Sequence, residues 1–299
     1  MVLKVKKDIQ SFLNPLNAFS LKAIFNAIVG VERAFLKQFN LSKITAGFEL
    51  EFYFFSKPTQ LLLDEISRIP FLYEVKSELG DNQYEVTTVP CTSLLELCDM
   101  IYIIRHQIDV ISNQHNNRAC FSAVFNERQP PSGMQFNVSV NAMHTSLPLS
   151  HSSIILMRIL QNMMSSISSM VYIACPTVEC IQRIANHNFV KKFKNSPTHI
   201  TWGIENRTVA VRLTSIPNST FGSRIEHRLA SPLANPYHLA LAIMSSSLCP
   251  SNVYFPQTFI DSIHSTSSSL AITRLQAIEE FTRSDLLKKM KNFCKKNVL

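Results

Sequence analysis

The sequence lacks a C-x-x-C pair and any finger-like cysteine spacing. Its seven cysteines are an odd number, which argues against a redox dithiol, a structural zinc site and a closed disulfide framework. That usage fits a reducing compartment, and a cytoplasmic location is expected. A long apolar run near the start is missing too: Asp8, Gln10, Ser11 and Asn14 interrupt the stretch after the basic residues 1–7, so neither a signal peptide nor a membrane span is expected there. No window is polar enough to stay disordered, and there is no internal repeat. Charge is scarce, at 17% of residues. The basic clusters Lys191, Lys192 and Lys194, and Lys288, Lys289, Lys291, Lys295 and Lys296, lack the interleaved aromatics of a single-strand nucleic-acid platform. They read as solvated faces, so neither nucleic acid nor membrane is an expected partner despite the formal net charge of +8.

What the chain does have is core-forming material: 46% of its 299 residues are hydrophobic, enough for one sizeable body. Leu21, Ile24, Phe25, Ile28, Val29, Phe35 and Leu36 recur at helical spacing and predict a helix over 21–39. The aromatic-rich residues 46–55 predict a strand with Glu49 and Glu51 on one face, an arrangement that is costly unless something positive sits between them. A short helix is expected near 59–68, an extended region over 71–89 broken at Gly80, Asp81 and Asn82, and a helix over about 92–114. Strands over 119–126 and 134–141 should flank the turn at 129–133, followed by a helix over about 151–172. Strands near 199–203, 207–213 and 223–229 and helices near 237–247 and 270–293 complete the reading. Without a regular βαβ alternation this is an α+β pattern. A single domain over 1–299 is expected, with its core at about 21–248 and a helical extension over 249–299.

Four segments keep charged residues where a strand needs a reason to hold them: Glu49-Leu-Glu51; Glu78 to Glu85; Glu205-Asn-Arg207 with Arg212; and Arg224-Ile-Glu226-His-Arg228. In an extended chain Arg224, Glu226 and Arg228 share one face, with Ile225 and His227 on the other. Carboxylates converging with guanidinium groups suit divalent cations bridging a nucleotide triphosphate, because hard cations choose carboxylate oxygens and arginine grips phosphate in a bidentate fashion. Such a site works by positioning and charge neutralisation. Each motif alone is more often a solvent face with a cross-strand ion pair, and only their order and spacing point to a site. His227 and His238 read as packed or surface histidines.

The order of the motifs, from E-x-E-F through E-x-G-x-x-Q-x-E, S-G-M, N-R-T-x-x-x-R and R-I-E-x-R to A-N-P-Y, resembles the glutamine synthetase catalytic domain, over about residues 21–244. The stretch from Thr201 to Met244 is most similar to the branch that joins glutamate to polyamines or other amines. The resemblance implies a curved, mainly antiparallel sheet flanked by helices, of the glutamine synthetase and guanido kinase type. It also implies an ATP-dependent ligase that phosphorylates the side-chain carboxylate of glutamate or a similar acid and then forms an amide with ammonia or an amine. By motif, Glu51, Glu78 and Glu85 would hold one Mg²⁺ or Mn²⁺ ion, and Glu49, Glu226 and Gln135 another, in a family that uses two or three such sites. Arg207 and Arg212 would face the transferring phosphate, Arg224 and Ser139 the nucleotide, and Arg183 and Arg228 the carboxylates of the amino-acid substrate.

The chain departs from the family pattern at several points. Gln135 and Asn137 stand where the family has the two histidines of H-x-H; Pro131 replaces a glycine and Val124 a lysine; and residues 185–195 supply Asn and Lys in place of a flap glutamate. Only 48 residues precede Glu49, leaving no room for the β-grasp domain that completes a neighbouring subunit's site in the family. A homo-oligomer is compatible with the sequence, but a family-style ring is not expected. Two readings therefore stand side by side: a divergent ligase, and a catalytically impaired member that binds metal or nucleotide in a regulatory role.

Overall fold

The structure, a computed structural model, describes residues 19–143, 148–185, 192–193, 195–214, 222–258, 268–271 and 273–296. The basic residues 1–7, Lys191, Lys194 and most of the segment 185–195 lie outside them.

The first helix, α1 (Leu21–Phe39), has the extent that its apolar spacing predicts. Ser20 caps it, its Oγ accepting from the Ala23 N–H at 3.2 Å, and Asn40 ends it in the left-handed region at φ 52°. The chain then enters β1 (Leu41–Phe54), which runs five residues further back than the aromatic cluster alone suggests. Along β1 Phe48, Leu50 and Phe52 are fully buried and alternate with Glu49 and Glu51, so one face is core and the other is cleft. After α2 (Gln60–Ser67) come β2 (Leu72–Ser77) and β3 (Gln83–Thr88), an antiparallel pair in which the expected extended region breaks around Gly80. Helix α3 (Leu94–Gln114), the short β4 (Ala119–Cys120) and β5 (Met134–Ala142) follow.

The helix expected over 151–172 is two helices, α4 (Ile154–Ser165) and α5 (Ile167–Ala174), bent by 68° at Ser166. Helix α6 (Val178–Ala185) has no counterpart in the sequence reading. Strands β6 (Trp202–Ile204), β7 (Val211–Thr214) and β8 (Arg224–His227) precede α7 (Pro236–Ser247). The last expected helix is again a pair, α8 (Arg274–Arg283) and α9 (Asp285–Lys296), parted at Ser284.

The sheet runs β2-β3-β1-β5-β8-β7-β6, with β4 paired to β1, and every pairing except β6–β7 is antiparallel. Helices cover its apolar face. Helix α7 is buried nearly all round, which is the property of a helix inside a body rather than on it. Helix α1 and the C-terminal α9 pack against α7, and α8 packs against α5. No single helix among the described residues is long and apolar enough to cross a membrane.

Candidate active site

The polar face of the sheet is organised by strand register. Lys76 of β2 lies opposite Glu85 of β3, and Glu85 lies opposite Glu51 of β1. Glu49 of β1 lies opposite Gln135 of β5. Asn137 of β5 lies opposite Glu226 of β8, which in turn faces Arg212 of β7. Period-two alternation points all of these side chains to one side, while Phe136 and His227 point into the core. His227 is buried, with its pKa lowered to about 4 by burial, so it is a neutral packed histidine.

These rows floor a cavity of about 310 Å³. Glu49, Glu51, Glu78, Glu85, Gln135, Arg183, Arg207, Arg212 and Arg228 all line it. Glu226 is tied to it through Arg212 and Arg228. Six cationic side chains and four carboxylates face this space, and two of the cations, Arg212 and Arg228, are paired with Glu226 and Glu205. A second cavity of about 190 Å³ adjoins it, with Glu49 in both walls, and this one holds Ser139 and Arg224 beside Asn137, Thr45 and Tyr73. The residues singled out in the sequence thus fall into one continuous region, with the two expected near a nucleotide in its smaller half.

On the β2–β3–β1 side acids dominate. Burial, then Glu85 and Glu226, push the Glu49 carboxyl up to about 7. Burial, then Glu51, push Glu85 up to about 7 against the pull of Lys76, whose Nζ is 2.6 Å from Glu85 Oε1. Burial also raises Glu51, opposed by Arg183 and by the Gly133 N–H, which donates to Glu51 Oε2 at 2.7 Å. A Cβ at Gly133 would stand 2.8 Å from Arg183 Nη2, so a larger residue there would push that guanidinium aside.

On the β5–β8–β7 side cations dominate. The two oxygens of Glu226 accept from Arg212 Nη1, at 3.1 Å, and from Arg228 Nη1. Arg212 also pairs with Glu205. Burial alone would lower the Arg212 pKa, but Glu226 and Glu205 together hold it above its usual value. Gln135 Oε1 accepts from Arg228 at 3.1 Å and its Nε2 donates to Glu51 at 3.2 Å. Arginine only donates and a carboxylate only accepts, so this amide orientation alone satisfies both neighbours. Asn137 Nδ2 likewise donates to Glu49 at 3.1 Å. Arg183, buried on α6, donates to the carbonyls of Arg228 at 3.1 Å, Leu229 at 2.9 Å and Ala230 at 3.2 Å, so it clamps the chain leaving β8. The Nε atoms of Arg183, Arg212, Arg224 and Arg228 are buried without a hydrogen-bond partner among the described residues. Arg207 stands exposed at the rim.

Among the described residues no three His, Cys, Asp or Glu side chains stand close enough together to hold a metal ion as they are. The two expected ligand sets differ in how they fit one. Glu51, Glu78 and Glu85 offer hard oxygens, and the upward shifts of Glu51 and Glu85 are what a divalent cation would relieve, so their chemistry fits. In the other set both oxygens of Glu226 and the oxygen of Gln135 already accept from guanidinium groups, so that set does not fit as arranged.

Sequence reasoning missed Lys76, whose place opposite Glu85 follows only from the register of β2 and β3. Lys192, read as part of a solvated face, is exposed but lines the main cavity and donates to the Arg128 carbonyl at 3.2 Å.

A mostly antiparallel sheet with helices over one face and this cleft on the other is a glutamine synthetase-like α+β fold, and solved structures share it. The GmaS/ADP complex in its conformation 1 superposes with a TM-score of 0.73 at 20% identity, over 92% of this chain and 73% of that one. The Plasmodium falciparum glutamine synthetase determined by cryo-EM gives 0.70 at 12% identity, over 92% and 75%. The family follows from the sequence: the glutamine synthetase catalytic-domain model matches residues 68–290, and the chain belongs to that family. Among curated relatives, gamma-glutamylputrescine synthetase PuuA of Escherichia coli (strain K12) is 26% identical over 192 residues, covering 62% of this chain and 39% of that protein. The glutamine synthetase of Pyrococcus abyssi (strain GE5 / Orsay) is 24% identical over 176 residues, covering 57% and 37%. The chain thus matches less than two-fifths of each relative's length.

Proposed function

We propose that the chain is the catalytic portion of an ATP-dependent carboxylate–amine ligase. In this reaction a side-chain carboxylate of glutamate or a similar acid is phosphorylated and the acyl phosphate is captured by ammonia or an amine. The observation that carries the reading is the gathering of Glu49, Glu51, Glu78, Glu85, Arg207 and Arg212 around one cavity that adjoins a second through Glu49. Arg207 at the rim and Arg212 on the floor would grip the phosphate that moves, and Arg224 and Ser139 would contact the nucleotide in the smaller cavity. Arg228 would meet the acid substrate. Arg183 would do so with the two N–H groups it has left, because three of its five already donate to the chain. Glu51, Glu78 and Glu85 would hold Mg²⁺ or Mn²⁺, which supplies charge neutralisation on the phosphates.

The test is release of ADP in the presence of ATP, Mg²⁺, glutamate and a panel of amines. Turnover that depends on the amine is the expected result, and amine-independent or absent turnover overturns it. ATP with Mg²⁺ should also raise the melting temperature.

One observation favours the second reading, a metal- or nucleotide-binding family member without turnover. The oxygens of Glu226 and Gln135 are committed to Arg212 and Arg228, which closes the second ligand set. ADP-induced stabilisation without amine-dependent turnover is the outcome that reading expects.

A further inference from the structure

The acid side of the cleft already contains a cation of its own. Lys76 stands on β2, the edge strand, across from Glu85, and its ammonium is 2.6 Å from Glu85 Oε1. Its charge also acts on Glu49 and Glu78. A lysine on an edge strand ordinarily guards against strand addition by pointing to water. This one is bent to a different use, because its partner carboxylate is 3% exposed and belongs to the cross-strand row Lys76–Glu85–Glu51 on the cleft face.

The two ends of that ion pair are unequal. The Lys76 side chain is 44% exposed and hangs on a flexible four-carbon stem, so it can withdraw into solvent with little loss of packing. The cations on the other side of the cleft cannot do this: Arg212 and Arg228 are 15% and 9% exposed and are fixed on Glu226. A divalent cation on Glu85 would stand beside the Lys76 ammonium at the same carboxylate, and the two positive charges repel at that range. We propose that Lys76 is a tethered counter-ion that competes with a divalent cation for Glu85, neutralising the acid wall when no metal is bound and swinging out when one binds. The inference rests on the reading of Glu51, Glu78 and Glu85 as metal-holding residues.

The test compares the full chain with Lys76→Met and Lys76→Arg in Mn²⁺ titrations, reading the electron paramagnetic resonance signal of free Mn²⁺. An ion pair with one half-exposed member is worth about a decade in affinity or less, so Lys76→Met should bind Mn²⁺ roughly three- to tenfold more tightly. Lys76→Arg, which keeps the charge, should not gain this. In the unsubstituted chain, acetylation of Lys76 followed by peptide mass spectrometry should speed up when Mn²⁺ is added, a readout that needs no variant to fold. Equal or weaker Mn²⁺ binding by Lys76→Met, no binding by either chain, or acetylation indifferent to Mn²⁺ overturns the proposal. Amine-dependent ADP release alongside Mn²⁺ affinity that ignores position 76 would remove the lysine's role and leave the ligase reading standing. Tighter Mn²⁺ binding by Lys76→Met without ADP release would do the reverse.

Discussion

The two sides of the cleft handle charge in opposite ways. On β2, β3 and β1 the carboxylates Glu49, Glu51 and Glu85 crowd one another and are shifted upward by burial, with one half-exposed lysine to offset them. On β5, β8 and β7 a single buried carboxylate, Glu226, sits between two guanidinium groups and is satisfied by them. The first side is left in want of a cation, and the second has supplied its own.

The largest effect should come from breaking the self-satisfied side. Glu226→Ala leaves Arg228 buried without its ion-pair partner and Arg212 with Glu205 alone, and should cost about 3–5 kcal/mol, read as a lower urea midpoint at unchanged m-value. An unshifted midpoint would erase the contrast between the two sides. Arg183→Met removes the clamp on three carbonyls and should cost about 2–3 kcal/mol by the same measurement.

Glu49→Gln sharpens the comparison from the acid side. Burial, with Glu85 and Glu226, lifts the folded Glu49 pKa from its ordinary 4.5 to about 7, so the folded state holds its proton more tightly than the unfolded one. Its contribution is favourable below about pH 4.5 and is lost as pH rises through about 7. Without metal, the variant should therefore gain on the unsubstituted chain across that window, by on the order of 2 kcal/mol at neutral pH. Denaturation curves at several pH values check this, and a constant difference would remove the repulsion argument. The smallest effect belongs to Glu205→Ala. That side chain is 43% exposed and Arg212 keeps Glu226, so the loss should stay within about 1 kcal/mol.

Much of this was legible in the sequence where a property repeats locally. The seven apolar residues at helical spacing define α1, and the two-residue spacings of Glu49 with Glu51 and of Arg224 with Glu226 place each pair on one strand face. The proposed site residues themselves were picked out by the resemblance of their motifs to the family, not by alternation. Register between distant strands is written nowhere locally, so the pairing of Lys76 with Glu85, or of Asn137 with Glu226, could not be read in advance. The helix breaks at Ser166 and Ser284 carry neither proline nor glycine to announce them. The expected strand over 119–126 shrinks to Ala119–Cys120 because its aromatics serve another purpose: Phe121 packs on Phe52 at 5.4 Å and Phe125 stacks on Tyr53 at 4.6 Å. Helix α6 did leave a signal, since the Thr177 hydroxyl accepts from the Cys180 N–H at 3.2 Å, the contact of an N-terminal cap.

The alternation along β8 has a consequence for how this segment can be edited. Adding or deleting one residue within Arg224–His227 would turn the strand over, carrying Ile225 and His227 out to the cleft and driving the Glu226 charge among the phenylalanines. Chemistry at this strand can be retuned by exchanging side chains, but its length is frozen.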